Sequence, residues 1–238
     1  MIVLREPKSI YQTDVLIQDG TFHGRWHFSF GPNSDRDHTR FGTLRVFNDD
    51  TLSPGAVWPL HPHQDIEVVT YCAGGEFMHA DQGGKGGVLR KGHVQHTTVG
   101  SGMWHSEINN RKDEPMRFIQ MWFYPSKEGL KPSVEQKPVE REDRTNRLLP
   151  VVSPVHREAL PIQTDARVFA SYLERGQSVD YRLEQNRGAY LYVLEGGPVK
   201  VNGKDVDAFG AAMIRDEAGI SIKADENSEL LLVDVPLL

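Results

Sequence analysis

The sequence predicts an all-β protein made of two copies of one β fold. Three observations carry this expectation. Short apolar or alternating runs are separated by clusters of Gly, Pro, Asn and Asp, the punctuation of strands and turns. The segment Tyr190–Val201 echoes Val69–His79 with a Gly-Gly turn in the same place, and Phe209-Gly210 with the runs after it echoes Lys91-Gly92. A repeat of that length indicates two copies of a single unit. Finally, His61 and His63 are spaced by two, as are His105 and Glu107, and on a strand each pair shares one face.

In chain order, residues 1–30 alternate short apolar runs with polar breaks, and residues 22–30 read as a strand. Residues 31–35 are turn chemistry, with Pro32 fixing φ and Asn33 and Asp35 able to bond their own backbone. Residues 44–50 form a strand that runs into a polar turn. Residues 68–72 and 76–80 are strands around the Ala73-Gly74-Gly75 turn, followed by a glycine-rich break at Gly83–Gly87. Arg117–Tyr124 is the most continuously apolar run of the first half, as expected of a strand buried on both faces. From residue 125 to 165 six prolines are spread through polar sequence, which breaks long helices and interior strands alike. This gives an N-terminal domain over 1–130, a linker with one short helix over 131–165, and a C-terminal domain over 166–238.

The 238 residues, 38% of them hydrophobic, suffice for two compact cores. A net charge of −6 without a basic stripe argues against direct nucleic-acid binding. The one dense charge run, Glu140–Arg144, has mixed signs and reads as a solvated face. A single cysteine, Cys72, excludes an intrachain disulfide and sits in an apolar run as a buried thiol. No stretch approaches the ~18 apolar residues of a membrane span, and Met1–Pro7 has no signal-peptide core. A cytoplasmic location is the expectation.

The chemistry is expected between Gly55 and Asn109. A single His-x-His pair is more often incidental than ligating. A second inward pair about forty residues on, after a strand-turn-strand pattern, favours a first coordination shell with open positions for one divalent transition metal. Spacing alone leaves the carboxylate open between Glu67 and Glu107. Counting from the repeated turns sets Arg182 and Glu184 opposite His61 and His63, and Lys223 and Asp225 opposite His105 and Glu107, so the second copy is expected to hold no metal. Among other histidines, His79 reads as surface or as a neighbour of the ligands. His93 and His96 are candidates for the cavity mouth, while His23, His27, His38 and His156 read as packing or surface. Phe47, Met103, Trp104 and Met121 are candidate cavity walls.

Gly55-x5-His61-x-His63-x3-Glu67-x6-Gly74 fits the first cupin motif, and Gly102, His105 and Asn109 fit the end of the second. More narrowly, His61-Pro62-His63, Glu67–Tyr71, His79-x-Asp81, Gly92-x-Val94-Gln95 and Gly100-x-Gly102-x-x-His105-Ser106-Glu107 resemble the signature of the pirin family. The chain departs from the second cupin motif at Val94 and Gly100, and from the pirin pattern at Gln64-Asp65-Ile66, Cys72-Ala73-Gly74, His93 and His96, none of them among the expected ligands. The resemblance implies a bicupin, two jelly-roll-type β-barrels with the first metallated. It implies His61, His63, His105 and Glu107 as ligands, and Glu67 as a hydrogen bonder away from the ion. The donor set suits Fe(II), with Mn, Co, Ni, Cu or Zn as alternatives.

Two activities follow from the resemblance. Bacterial pirins resemble quercetin 2,3-dioxygenases, which open the heterocyclic ring of flavonols with O₂ and release carbon monoxide, and Glu107 would then act as the catalytic base. Other pirins act as iron-dependent, redox-responsive regulators that bind transcription factors or metabolic enzymes. A small-molecule substrate with O₂ is expected in the first case and a protein partner in the second.

Overall fold

The computed structural model describes residues 1–81 and 86–237, so the glycine-rich break at Gly83–Gly87 lies largely outside the described residues. The first half of the chain runs β1 (Ile2–Arg5), β2 (Tyr11–Ile17), β3 (Gly20–Trp26), β4 (Leu44–Leu52), β5 (Val57–His63), β6 (Glu67–Gly74), β7 (Glu76–Asp81), β8 (Val88–Arg90), β9 (Val94–Thr98), β10 (Met103–Asn109) and β11 (Met116–Phe123). Next come β12 (Ser133–Lys137), the one-turn helix α1 (Arg141–Arg144) and β13 (Leu149–Val152). The second half runs β14 (Arg167–Leu173), β15 (Ser178–Arg182), β16 (Arg187–Glu195), β17 (Val199–Val201), β18 (Lys204–Val206), β19 (Ala211–Ile214), β20 (Gly219–Ala224) and β21 (Ser228–Pro236).

These strands form two sandwiches of the same plan. The first pairs a large sheet ordered β12-β9-β6-β11-β4-β3-β2 with a small one ordered β5-β10-β7-β8. The second pairs β1-β19-β16-β21-β14-β13 with β15-β20-β17-β18. The fold is therefore nearly all-β, with two cupin barrels. The repeated Gly-Gly turns have a steric cause. Gly75 and Gly196 both have positive φ, and a Cβ there would meet the Pro115 carbonyl oxygen at 2.5 Å and the Asn227 carbonyl oxygen at 1.9 Å.

Each half borrows an edge strand from outside its own span. The N-terminal strand β1 pairs with β19 of the second sandwich, and β12 pairs with β9 of the first. The proline-rich stretch therefore carries two strands as well as the short helix. Its prolines are compatible with this because β12 and β13 are both edge strands, and the β13 ladder shifts register beside Pro150.

The two large sheets face each other, and their central strands are buried on both sides. On β11, Ile119, Met121 and Phe123 enter the core shared by the two halves, while Phe118, Gln120 and Trp122 face the first barrel's interior. Phe47 and Met121 are therefore part of the shared core, not cavity wall; they lie on the other face of the strand pleat. Polar links cross the same seam. Arg117 donates to both carboxylate oxygens of Asp49 at 2.8 and 2.7 Å and to the Leu194 carbonyl at 3.2 Å. The Tyr192 hydroxyl donates to Asp49 at 2.5 Å, and the fully buried His27 ring lies 2.7 Å from the Tyr190 hydroxyl. Burial alone would push the Asp49 carboxyl up, but the Arg117 guanidinium and the tyrosine hydroxyl hold it below its ordinary value.

The ladders also correct the internal alignment. In the first barrel Glu107 lies opposite His79 and Asn109 opposite Phe77; in the second, Ile222 lies opposite Val201 and Ala224 opposite Val199. His61 opposes His105 as Tyr181 opposes Ile220. The positions equivalent to His61, His63, His105 and Glu107 are therefore Tyr181, Leu183, Ile220 and Ile222. Arg182, Glu184, Lys223 and Asp225 are offset from them by odd numbers of residues, which exchanges inward for outward faces. The spacers differ in length: 13 residues lead from Gly92 to His105, but 10 from Gly210 to Ile220.

Replacing Arg117 by Ala leaves the Asp49 carboxylate buried with its strongest partner gone. The expected loss is about 3–5 kcal/mol of unfolding free energy. It is measured as a lowered urea midpoint with an unchanged far-UV spectrum before the transition.

Candidate metal centre

The centre is built on β5 and β10, neighbours in the small sheet of the first barrel. His61 and His105 are directly opposed, and the ladder shifts register between His105 and Glu107. The extra residue falls on β5 near Pro59, where a β-bulge re-aims the strand. The Pro59 carbonyl accepts from His61 Nδ1 at 2.8 Å. A carbonyl can only accept, so the proton of neutral His61 sits on Nδ1 and the Nε2 lone pair is free to point inward.

The ligand atoms of His61, His63 and His105 all lie within 4.8 Å of one another. His61 Nε2 and His105 Nε2 are 3.1 Å apart. Glu107 reaches the same place, with Oε1 3.6 Å from His105 Nε2 and Oε2 3.9 Å from His61 Nε2. His63 Nε2 is buried without a hydrogen-bond partner among the described residues, an expensive condition unless something else ligates it. All four residues expected from the sequence are thus brought together. His105 and Glu107 are buried, while His61 and His63 are partly exposed.

Neighbours hold this set in place. His79 Nε2 lies 2.9 Å from His105 Nδ1. Gln120 donates to Glu107 Oε1 at 2.9 Å, and Trp122 Nε1 donates to Gln120 Oε1 at 2.9 Å. The Trp122 indole also stands edge-on to the His63 ring, with centroids 4.7 Å apart. Burial lowers the His63 ring to about 4, assisted by the His105 and His61 rings beside it. Burial lowers His105 to about 3, with His79 and His61 adding to the effect. Both rings are therefore neutral at pH 7, the state a metal ligand needs.

His61, His63 and Glu107 open onto a cavity of about 270 Å³ whose walls are Phe22, Trp26, Phe30, Trp58, Phe118 and Trp122. Asn48, Asp50 and Gln120 are its remaining polar residues. Sequence reading missed these three. Their signal is the polar run Asn48-Asp49-Asp50, which continues a strand instead of ending it in a turn, with one amide inside the apolar run of β11.

Other candidates fall elsewhere. Trp104 is exposed and, with Met103, borders an open cleft on the far side of His63. His96 is buried on the opposite face of the large sheet, 2.7 Å from Glu67, and His93 lies 3.8 Å from Glu140, so neither lines the cavity mouth. Glu67 faces away from the cluster and also accepts from Thr98 at 3.1 Å and from the Gln163 amide at 3.0 Å.

Residues 11–123 match the family model described as Pirin, and residues 150–235 match that of the quercetinase C-terminal cupin domain. The chain belongs to the pirin family of cupin proteins. It is 40% identical to a pirin-like protein of Caulobacter vibrioides, over 90% of this chain and 93% of that one. It is 33% identical to the quercetin 2,3-dioxygenase of Escherichia coli K12, over 89% and 90% respectively. Among solved structures, the bacterial pirin YhhW of Escherichia coli in complex with nickel(II) superposes with a TM-score of 0.92 at 29% identity, covering both chains completely. No helix among the described residues is long and apolar enough to cross a membrane.

Buried neutral histidines make stability pH-dependent. Burial also lowers His27 to about 3, from an ordinary value of 6.5. The unfolded chain takes up protons below about 6.5 while the folded chain does not, so the stability is fully present above that pH and is lost as pH falls toward 3. His27 contributes up to about 1.4 kcal/mol per pH unit in that window. Urea titrations of metal-free protein at pH 7.5, 6 and 5 should show the decline, and His27→Gln should flatten it.

Proposed function

We propose that this protein is a metal-dependent dioxygenase of quercetin-like flavonols, with one divalent ion held by His61, His63, His105 and Glu107. The observation that carries the reading is the convergence of these four side chains beside an aromatic-lined cavity, with the buried His63 Nε2 lacking a hydrogen-bond partner among the described residues. The donor chemistry fits such an ion, with three neutral imidazoles and one carboxylate, and Fe(II) is the metal proposed. The nickel(II) complex of the bacterial pirin and the dioxygenase among the relatives support the same reading.

When bound, the ion supplies Lewis-acid polarisation of a chelating substrate oxygen. The chain's own residues do the rest. The aromatic walls stack against a flat polyphenol and exclude water. Glu107 Oε1 is engaged by Gln120, which leaves Oε2 to accept the proton of the flavonol hydroxyl. Gln120 and Trp122 keep that carboxylate from rotating, and His79 holds the His105 ring in its ligating orientation.

Elemental analysis of anaerobically handled protein is expected to give about one divalent ion per chain, and His63→Ala should lose most of it. Quercetin loss and O₂ uptake, measured with Fe, Mn, Ni and Cu loading, should exceed those of the free ions, and Glu107→Gln should keep metal while losing turnover. Fully loaded wild-type protein with no flavonol consumption above the free ions would overturn the activity.

His79→Ala should weaken the metal about 10–100-fold without unfolding the barrel. Competition with a chromogenic chelator measures this, and an unchanged affinity would remove His79 from the centre.

A further inference from the structure

The cavity has a second polar point that the metal reading does not use. Along the large sheet, Gln120 on β11 lies directly opposite Asn48 on β4, and Phe118 lies opposite Asp50. Gln120 touches Glu107, so Asn48 stands one strand beyond it, roughly 4.8 Å further from the ligands. Gln120 is already engaged on both sides, as a donor to Glu107 and an acceptor from Trp122. Asn48 is different: it is 3% exposed and lines the cavity, and its Oδ1 has no hydrogen-bond partner among the described residues. Asp50, 6% exposed, accepts from Trp26 Nε1 at 3.1 Å and has a second oxygen to offer.

We propose that Asn48 and Asp50 form a recognition point for a neutral hydroxyl group on the substrate, remote from the oxygens that face the metal ligands. This rests on the flavonol reading above and names the feature that selects among such ligands. An apolar ligand end would leave Asn48 Oδ1 unpaired, at a cost of about 1–3 kcal/mol. An anionic end would meet no cation, because no Lys or Arg is among the described residues lining the cavity. A hydroxyl can donate to Asn48 Oδ1 and accept from Asp50, which burial and the nearby Asp49 and Glu107 carboxylates push well above its ordinary value. Kept neutral, Asp50 is a donor as well as an acceptor.

The test compares 3-hydroxyflavone with 3,4′-dihydroxyflavone, two ligands that differ by one remote hydroxyl. Binding to metal-loaded protein is read under argon by quenching of tryptophan fluorescence, since Trp26, Trp58 and Trp122 line the cavity. The dihydroxy compound is expected to bind at least ~10-fold tighter, in line with the penalty for an unpaired buried polar group. Asn48→Leu and Asp50→Leu should bring the ratio toward one, and Asp50→Asn, which keeps a donor and an acceptor, should retain the preference. Metal content and far-UV spectra verify that each variant is folded. Equal affinities in the wild type would overturn the proposal without help from any variant, and so would a ratio that survives both leucine substitutions. If both compounds bind but O₂ consumes neither, the dioxygenase reading fails and the affinity ratio still decides this one. If both are consumed with equal affinity, the dioxygenase reading stands and the recognition point is lost. If neither binds, both readings fall.

Discussion

Strands β4 and β11 are hydrogen-bonded to each other and buried on both faces, and the two-residue period of their side chains divides the molecule. One face, carrying Phe47, Asp49, Ile119 and Met121, seals the joint between the barrels. The other, carrying Asn48, Asp50, Phe118 and Gln120, lines the cavity. A slip of one residue in this ladder would send Asp49 into the cavity and Asn48 into the joint. The Asp49–Arg117 pair resists such a slip, because a bidentate ion pair in a buried site has a single workable geometry. The joint and the site are thus two sides of one constraint.

The same logic explains why the centre is rigid without being closed. Each inward nitrogen or oxygen belongs to a group anchored from behind: His61 by the Pro59 carbonyl, His105 by His79, Glu107 by Gln120 and His63 by the Trp122 ring. All of these anchors are groups of the protein itself, so the four side chains are organised by the fold alone. Burial favours neutral imidazoles, as seen for His63 and His105. The cost of keeping three rings and a carboxylate close together is borne by packing around them. A preorganised site of this kind gains affinity because little ordering remains at the moment of binding.

Much of this was legible in the sequence, and the reason is periodicity. Residues two apart on a strand must share a face, so spacing alone couples His61 to His63 and His105 to Glu107. The repeated Gly-Gly turn was equally legible, since positive φ and a close backbone approach require glycine at Gly75 and Gly196. What failed was anything that depended on long-range register. Phe47, Met121 and His96 have cavity-like character, yet only the ladder decides which face they occupy. The second copy was misaligned because its spacers differ in length. The placement of β1 beside β19 was hidden as well, because pairing across more than two hundred residues leaves no local signal.

The second barrel has a physical role despite carrying Leu183, Ile220 and Ile222 where the first carries His63, His105 and Glu107. In those positions the three residues join an apolar core inside it. Its strand β16 places Tyr190 and Tyr192 against the joint, where their hydroxyls meet His27 and Asp49. Asp49 is the immediate neighbour of Asn48 and Asp50, so the second barrel braces the back of the strand whose front lines the cavity. An apolar core in one copy and a cavity in the other are therefore complementary: the second barrel backs the sheet whose other face lines the cavity.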